Sequence, residues 1–129
     1  MRLGSFRYPA LPPLDDGESA FAVYEGLRAR VTLTGERVIV SRFGHTSIRY
    51  ETIIDVSGGT SAGPNFATWR ENVTIWGGLY LLSVDNHEEW VHIPEGKEAA
   101  AQIRSRAPNV WTGHGDVWDW FKTVRQQLQ

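Results

Sequence analysis

Between residues 18 and 93, apolar and polar side chains alternate in short runs separated by turn residues, the period of strands that bury one face. In the run ESAFAVYEG, Phe21 and Val23 fall on one face and Ala20, Ala22 and Tyr24 on the other, which predicts a first strand broken at Gly26. The stretch 30–59, RVTLTGERVIVSRFGHTSIRYETIIDVSGG, has no helical period and reads as a meander. In it Val31 and Leu33 alternate with Thr32 and Thr34, Thr34-Gly35-Glu36 turns the chain, and Val38 and Val40 alternate with Arg37, Ile39 and Ser41. After Gly44-His45, Ile48 and Tyr50 oppose Ser47 and Arg49, the strand resumes over 51–56, and Ser57-Gly58-Gly59 is expected to end it. Residues 57–65, rich in Gly and Ser, read as a long flexible loop. Strand signal returns at 66–69, 73–76 and 79–84, with Gly77-Gly78 read as a hairpin turn in preference to a bulge. A last strand over 89–93 sets Trp90 and His92 opposite Val91 and Ile93, for a total of about seven strands.

The period then changes. Pro94 suits a helix start, and 97–107 puts Ala99, Ala100, Ile103 and Ala107 on one stripe before Pro108 stops it. Asp116 is the expected cap of a second amphipathic helix whose stripe is Val117, Trp120, Phe121, Val124 and Leu128. Asp119 in its first turn and Arg125 near its end suit the helix dipole. Three segments follow: a Pro-rich arm over 1–17, a strand-rich body with its helix over 18–107, and a Trp-rich helical extension over 108–129.

A chain of 129 residues buries roughly two thirds of its unfolded surface in one domain, enough for a self-sufficient core. It has no cysteine, which removes disulfides, thiolate zinc sites and cysteine nucleophiles together and suits a reducing cytoplasm. Prolines at 9, 12 and 13 interrupt any apolar core of signal-peptide or membrane-helix length, so a soluble cytoplasmic protein is expected. The net charge of −2, with both signs interspersed, announces neither a nucleic-acid footprint nor a polybasic membrane patch.

Three phrases carry a family resemblance: LTGERVIV (33–40), IRYETIIDV (48–56), and the turn, strand and helix of DNHEEWVHIPEGKEAAAQIRS (85–105). In these the chain resembles the bacterial pleckstrin-homology (PH)-like domains over about 18–107. The resemblance implies a mainly β fold, a split barrel of about seven antiparallel strands capped by a C-terminal helix, here with a second C-terminal helix added. It also implies binding of lipid headgroups, peptides or proteins and no catalysis, at a site that varies among members. Phosphoinositide-binding members carry several Lys and Arg around the loop joining their first two strands. Here only Arg28 and Arg30 follow Tyr24-Glu25-Gly26-Leu27, so that pattern is incomplete.

Candidate chemistry is sparse. Arg28 and Arg30 are expected on one strand face, with Arg42 and Arg49 on neighbouring strands, a shallow anion or lipid-headgroup site if the four converge; the alternative is a solvated face balanced by Glu25, Glu36 and Glu51. His87 and His92 have an H-x4-H spacing, but an odd separation along a strand sends them to opposite faces, so no metal or other cofactor is expected. No nucleophile elbow, zinc-protease helix or phosphate loop is present; SGGTSAGPN lacks a lysine and a following helix, so no enzyme is expected. Of six tryptophans, Trp111, Trp118 and Trp120 crowd the C-terminal end. Trp118, Trp111 and Phe121 are candidates for contact with another chain or self-association, with covering of a barrel face as the alternative for Trp118 and Trp111. The resulting expectation is a binding or assembly module with a protein or lipid partner and no nucleic acid; the runner-up is a lipocalin-like carrier of a small apolar ligand.

Overall fold

A computed structural model describes residues 12–26, 28–59 and 78–129. The protein is mainly β. Strands β1 (Ala20–Gly26), β2 (Ala29–Thr34), β3 (Arg37–Ser41) and β4 (His45–Arg49) form one antiparallel sheet in that order. Strands β5 (Ile53–Gly59), β6 (Gly78–Ser83) and β7 (Glu88–Val91) form a second, followed by helices α1 (Gly96–Arg106) and α2 (Val117–Gln127). Among the described residues the two sheets do not join into a closed barrel. The runs expected at 66–69 and 73–76, the loop beyond residue 59 and Gly77 lie outside the described residues, as do residues 1–11 of the arm.

Alternation selects the buried faces as expected. Val31, Leu33, Val38, Val40 and Ile48 of the first sheet meet Ile53, Val56, Leu79, Leu81 and Val91 of the second and Ala99, Ala100 and Ile103 of α1 in one cluster. Burying a large apolar side chain of this kind contributes on the order of 1.5–3 kcal/mol relative to exposure. Phe21 and Val23, opposite Tyr24, are exposed. The opposite face of β2 and β3 departs from expectation, because Thr32, Ile39 and Ser41 are buried as well.

The run 48–56, read as one interrupted strand, belongs to two sheets. Tyr50–Thr52 is a turn of 3-10 helix at the corner between β4 and β5. Tyr50 is buried there, its hydroxyl donates to the Thr34 carbonyl at 2.7 Å, and burial pushes its phenol up to about 12. Beyond the corner a bulge at Ile54 interrupts the pairing with β6, so Ile53 and Val56 both face the main core. β5 does not stop at Ser57: Gly58 pairs with Leu79 and Gly59 with Gly78.

Ile54 is the seat of α2. It packs with Val117, Phe121 and Val124 in a second cluster, flanked by Val84, Trp111 and Trp120. Asp116 caps the helix, its side chain accepting from the Trp118 amide at 2.7 Å. Leu128, placed on the buried stripe by its spacing, is exposed because the helix ends at Gln127.

The end of the arm is tied to the β2–β3 turn by the carboxylate of Glu18, whose side chain is covered. Glu18 accepts from Arg37 at 2.8 and 2.7 Å, from the Thr34 hydroxyl at 2.7 Å and from the Asp15 amide at 2.9 Å, while Arg37 also reaches the Pro13 carbonyl. The Arg37 guanidinium above all, with the Asp15 amide and Thr34 hydroxyl, holds the Glu18 carboxyl down at about 2. A folded value below the usual carboxylate range stabilises the fold above about pH 4.5, and that contribution is lost as pH falls through about 2. Denaturation midpoints measured between pH 5 and 2 are therefore expected to fall faster for the wild type than for Glu18→Gln. Parallel profiles would show that the carboxylate does not couple to folding.

Candidate functional site

The four arginines do not form one cluster. Gly26 pairs with Ala29, and Arg28 sits in the tight turn between them at φ 62, exposed and off the strand. It therefore does not share a strand face with Arg30. Arg30 lies on β2 opposite Glu25, with which it pairs at 3.3 Å, and its other cross-strand neighbour is Ser41. Arg42, in the β3–β4 turn, is near that end of the sheet but reaches away from it: Nη1 donates to Glu89 Oε1 at 2.5 Å and Nη2 to the Trp90 carbonyl. Arg49 pairs in register with Arg37, four residues along β3 from Ser41, which separates it from Arg30 by roughly 13 Å along the strand direction. Its Nε donates to Glu51 at 2.5 Å. Thus Arg30, Arg42 and Arg49 each face their own carboxylate, and Arg28 is left at a turn.

Arg42 instead joins the sheets. Its partner Glu89 is a buried residue of β7, and the other carboxylate oxygen of Glu89 contacts His87 Nε2. His87 is thus engaged by a carboxylate at the β6–β7 turn, while His92 is exposed past the end of β7. Among the described residues no three His, Asp or Glu side chains converge as a metal site would require. The bridge joins residues 47 positions apart, and no local pattern in the chain announces it.

Where the sheets part at β4, a cleft of about 340 Å³ opens, with Thr46, Ser47, Ile48 and Arg49 on one wall and Thr52, Ser83, Val84, Asp85 and His87 on the other. Asp85 accepts from the Ser83 hydroxyl, which holds its carboxyl below the usual range. Arg49 is 74% exposed at the rim. Ile48 and Val84 give it an apolar lining, while the Ser83 hydroxyl is turned to Asp85 and His87 Nε2 to Glu89. What it offers is backbone and shape.

The aromatic candidates divide. Phe121 is buried, and Trp111 is half-buried against the α2 cluster, its indole donating to the His114 carbonyl at 3.1 Å. Trp120 donates to the Asn109 carbonyl at 2.8 Å. Trp118 is 40% exposed, its ring centred 5.8 Å from that of Phe121 at the edge of the stripe. Between α1 and α2 a wider groove of about 710 Å³ is lined by Arg104, Ala107, Pro108, Val110, Trp111, Thr112 and Gly113. Among the described residues no helix is long and apolar enough to cross a membrane. No family model, no curated protein and no solved structure matches this chain.

Proposed function

We propose that the protein is a non-enzymatic binding or assembly module of PH-like build, acting in the cytoplasm on a protein partner or on further copies of itself. The observation that carries this reading is the filled interior. Val31, Leu33, Val38, Val40, Ile53, Val56, Leu79, Leu81 and Ile103 occupy the space between the sheets and α1, each at most 1% exposed, so the working surface is the exterior. The succession of four strands, three strands and a helix is also the order the PH-like resemblance implies, and the cysteine-free composition suits the cytoplasm. A lipid headgroup is the weaker partner, since Arg30, Arg42 and Arg49 already face carboxylates. Native mass spectrometry of protein purified from its host is expected to show a partner chain or an oligomer. A small molecule retained at one per chain would overturn this in favour of the lipocalin-like carrier.

A further inference from the structure

A sheet edge displays a row of unpaired amides and carbonyls, and folded proteins blunt such rows with bulges, charges or covering segments. Among the described residues, three of the four edges carry such a device. Along β5, the Trp111 amide donates to the Ile54 carbonyl at 2.7 Å and Arg104 to the Val56 carbonyl at 2.5 Å, so the chain leaving α1 straps that edge. On β7, the Trp90 carbonyl is taken by Arg42. β1 is bulged at Phe21, whose ring lies 3.9 Å beneath the Arg106 guanidinium, and its last residue, Gly26, abuts the His92 carbonyl. Among the described residues β4 has nothing comparable: β3 pairs with one side, and beyond that pairing the 3-10 turn engages the carbonyl of its last residue, Arg49, which accepts from the Thr52 hydroxyl. That bare edge forms one wall of the 340 Å³ cleft.

Resting on the binding-module reading, we infer that β4 is where the partner docks, and that the partner is an extended peptide segment that adds to the sheet as a fifth strand. The bare main chain requires amides and carbonyls at strand spacing, which only another strand supplies. Side chains of the added strand alternate. Inward ones enter the cleft between Ile48 and Val84, where space suits a small or β-branched apolar residue. Outward ones lie beside Ser47 and Arg49, which share the outer face. Arg49 gives only its Nε to Glu51, an exposed pair worth little, so its terminal amino groups suit a carboxylate of the incoming strand. The segment recognised is therefore extended, with small apolar and acidic residues in alternation.

The probe is an acetylated, amidated hexapeptide of alternating valine and glutamate, with a valine–lysine hexapeptide as its counterpart, read by residue-resolved amide hydrogen exchange. The valine–glutamate peptide is expected to slow exchange within 45–49 by about fivefold or more and to bind about tenfold tighter than the lysine peptide. Thr46→Lys, which points a charge into the cleft, is expected to abolish the protection, and Arg49→Glu, at an exposed site, to invert the preference between peptides. Protection by neither peptide, protection that survives Thr46→Lys, or indifference to Arg49→Glu overturns the proposal. So does a wild-type dimer in sedimentation that Thr46→Lys dissolves while both peptides stay idle, since the occupant is then a second copy. A partner retained equally by wild type and Thr46→Lys would leave the binding module standing and remove β4 from it.

Discussion

Gly58→Ala is expected to destabilise the protein by about 1–3 kcal/mol, roughly 3–15 °C in thermal midpoint for a domain of this size. A methyl group at Gly58 would sit 1.9 Å from the carbonyl oxygen of Gly96 and 2.9 Å from the Ala100 side chain. The backbone of Gly96 has no room to retreat, because a side-chain carbon there would itself lie 1.9 Å from the Gly78 carbonyl oxygen. The first turn of α1 thus rests directly on the β5–β6 pair, backbone against backbone, and it is this contact that brings Ala99, Ala100 and Ile103 into the core. In an unobstructed position Gly→Ala gains a little by restricting the unfolded chain. Gly35→Ala, with nothing within 4 Å of the added carbon, is the control and is expected to stay within about 0.5 kcal/mol of wild type. If the two variants melt together, α1 does not seat on these glycines.

Arg42→Ala is expected to cost about 2 kcal/mol, because it leaves the buried Glu89 carboxylate and the Trp90 carbonyl without their guanidinium. This cost lies at the low end for a broken buried pair, since Arg42 itself is 38% exposed and water softens the loss. Replacing both members, Arg42→Met with Glu89→Leu, removes the stranded charge and is expected to return stability to within about 1 kcal/mol of wild type. A double-mutant cycle in urea measures the coupling directly. Additive single effects would mean that the sheets are held together by the apolar core alone.

The candidate surfaces were legible unevenly. Trp118 at the rim of the α2 stripe followed from helical spacing, because the faces of a helix depend on nothing outside it. The arginines did not follow, since residue type says nothing of which carboxylate faces each one: Glu25 is a cross-strand neighbour of Arg30, but Glu89 reaches Arg42 from the other sheet. The β4 edge left no mark in HTSIR at all. A strand's position at the margin of a sheet depends on which other strands pair, a non-local property.

Rules that act over a few neighbouring residues suffice for much of this chain: period-two alternation for the inward faces of β1 to β4, Asp116 for the start of α2, and the Ala99, Ala100, Ile103 and Ala107 stripe for the buried side of α1. Other features waited on the packed fold. The corner at Tyr50 depends on a hydroxyl reaching Thr34, and the persistence of β5 through Gly58 depends on β6 beside it and a helix resting on it. In each case the interaction that decides the outcome joins residues distant in the chain, and its free energy exists only once they have been brought together.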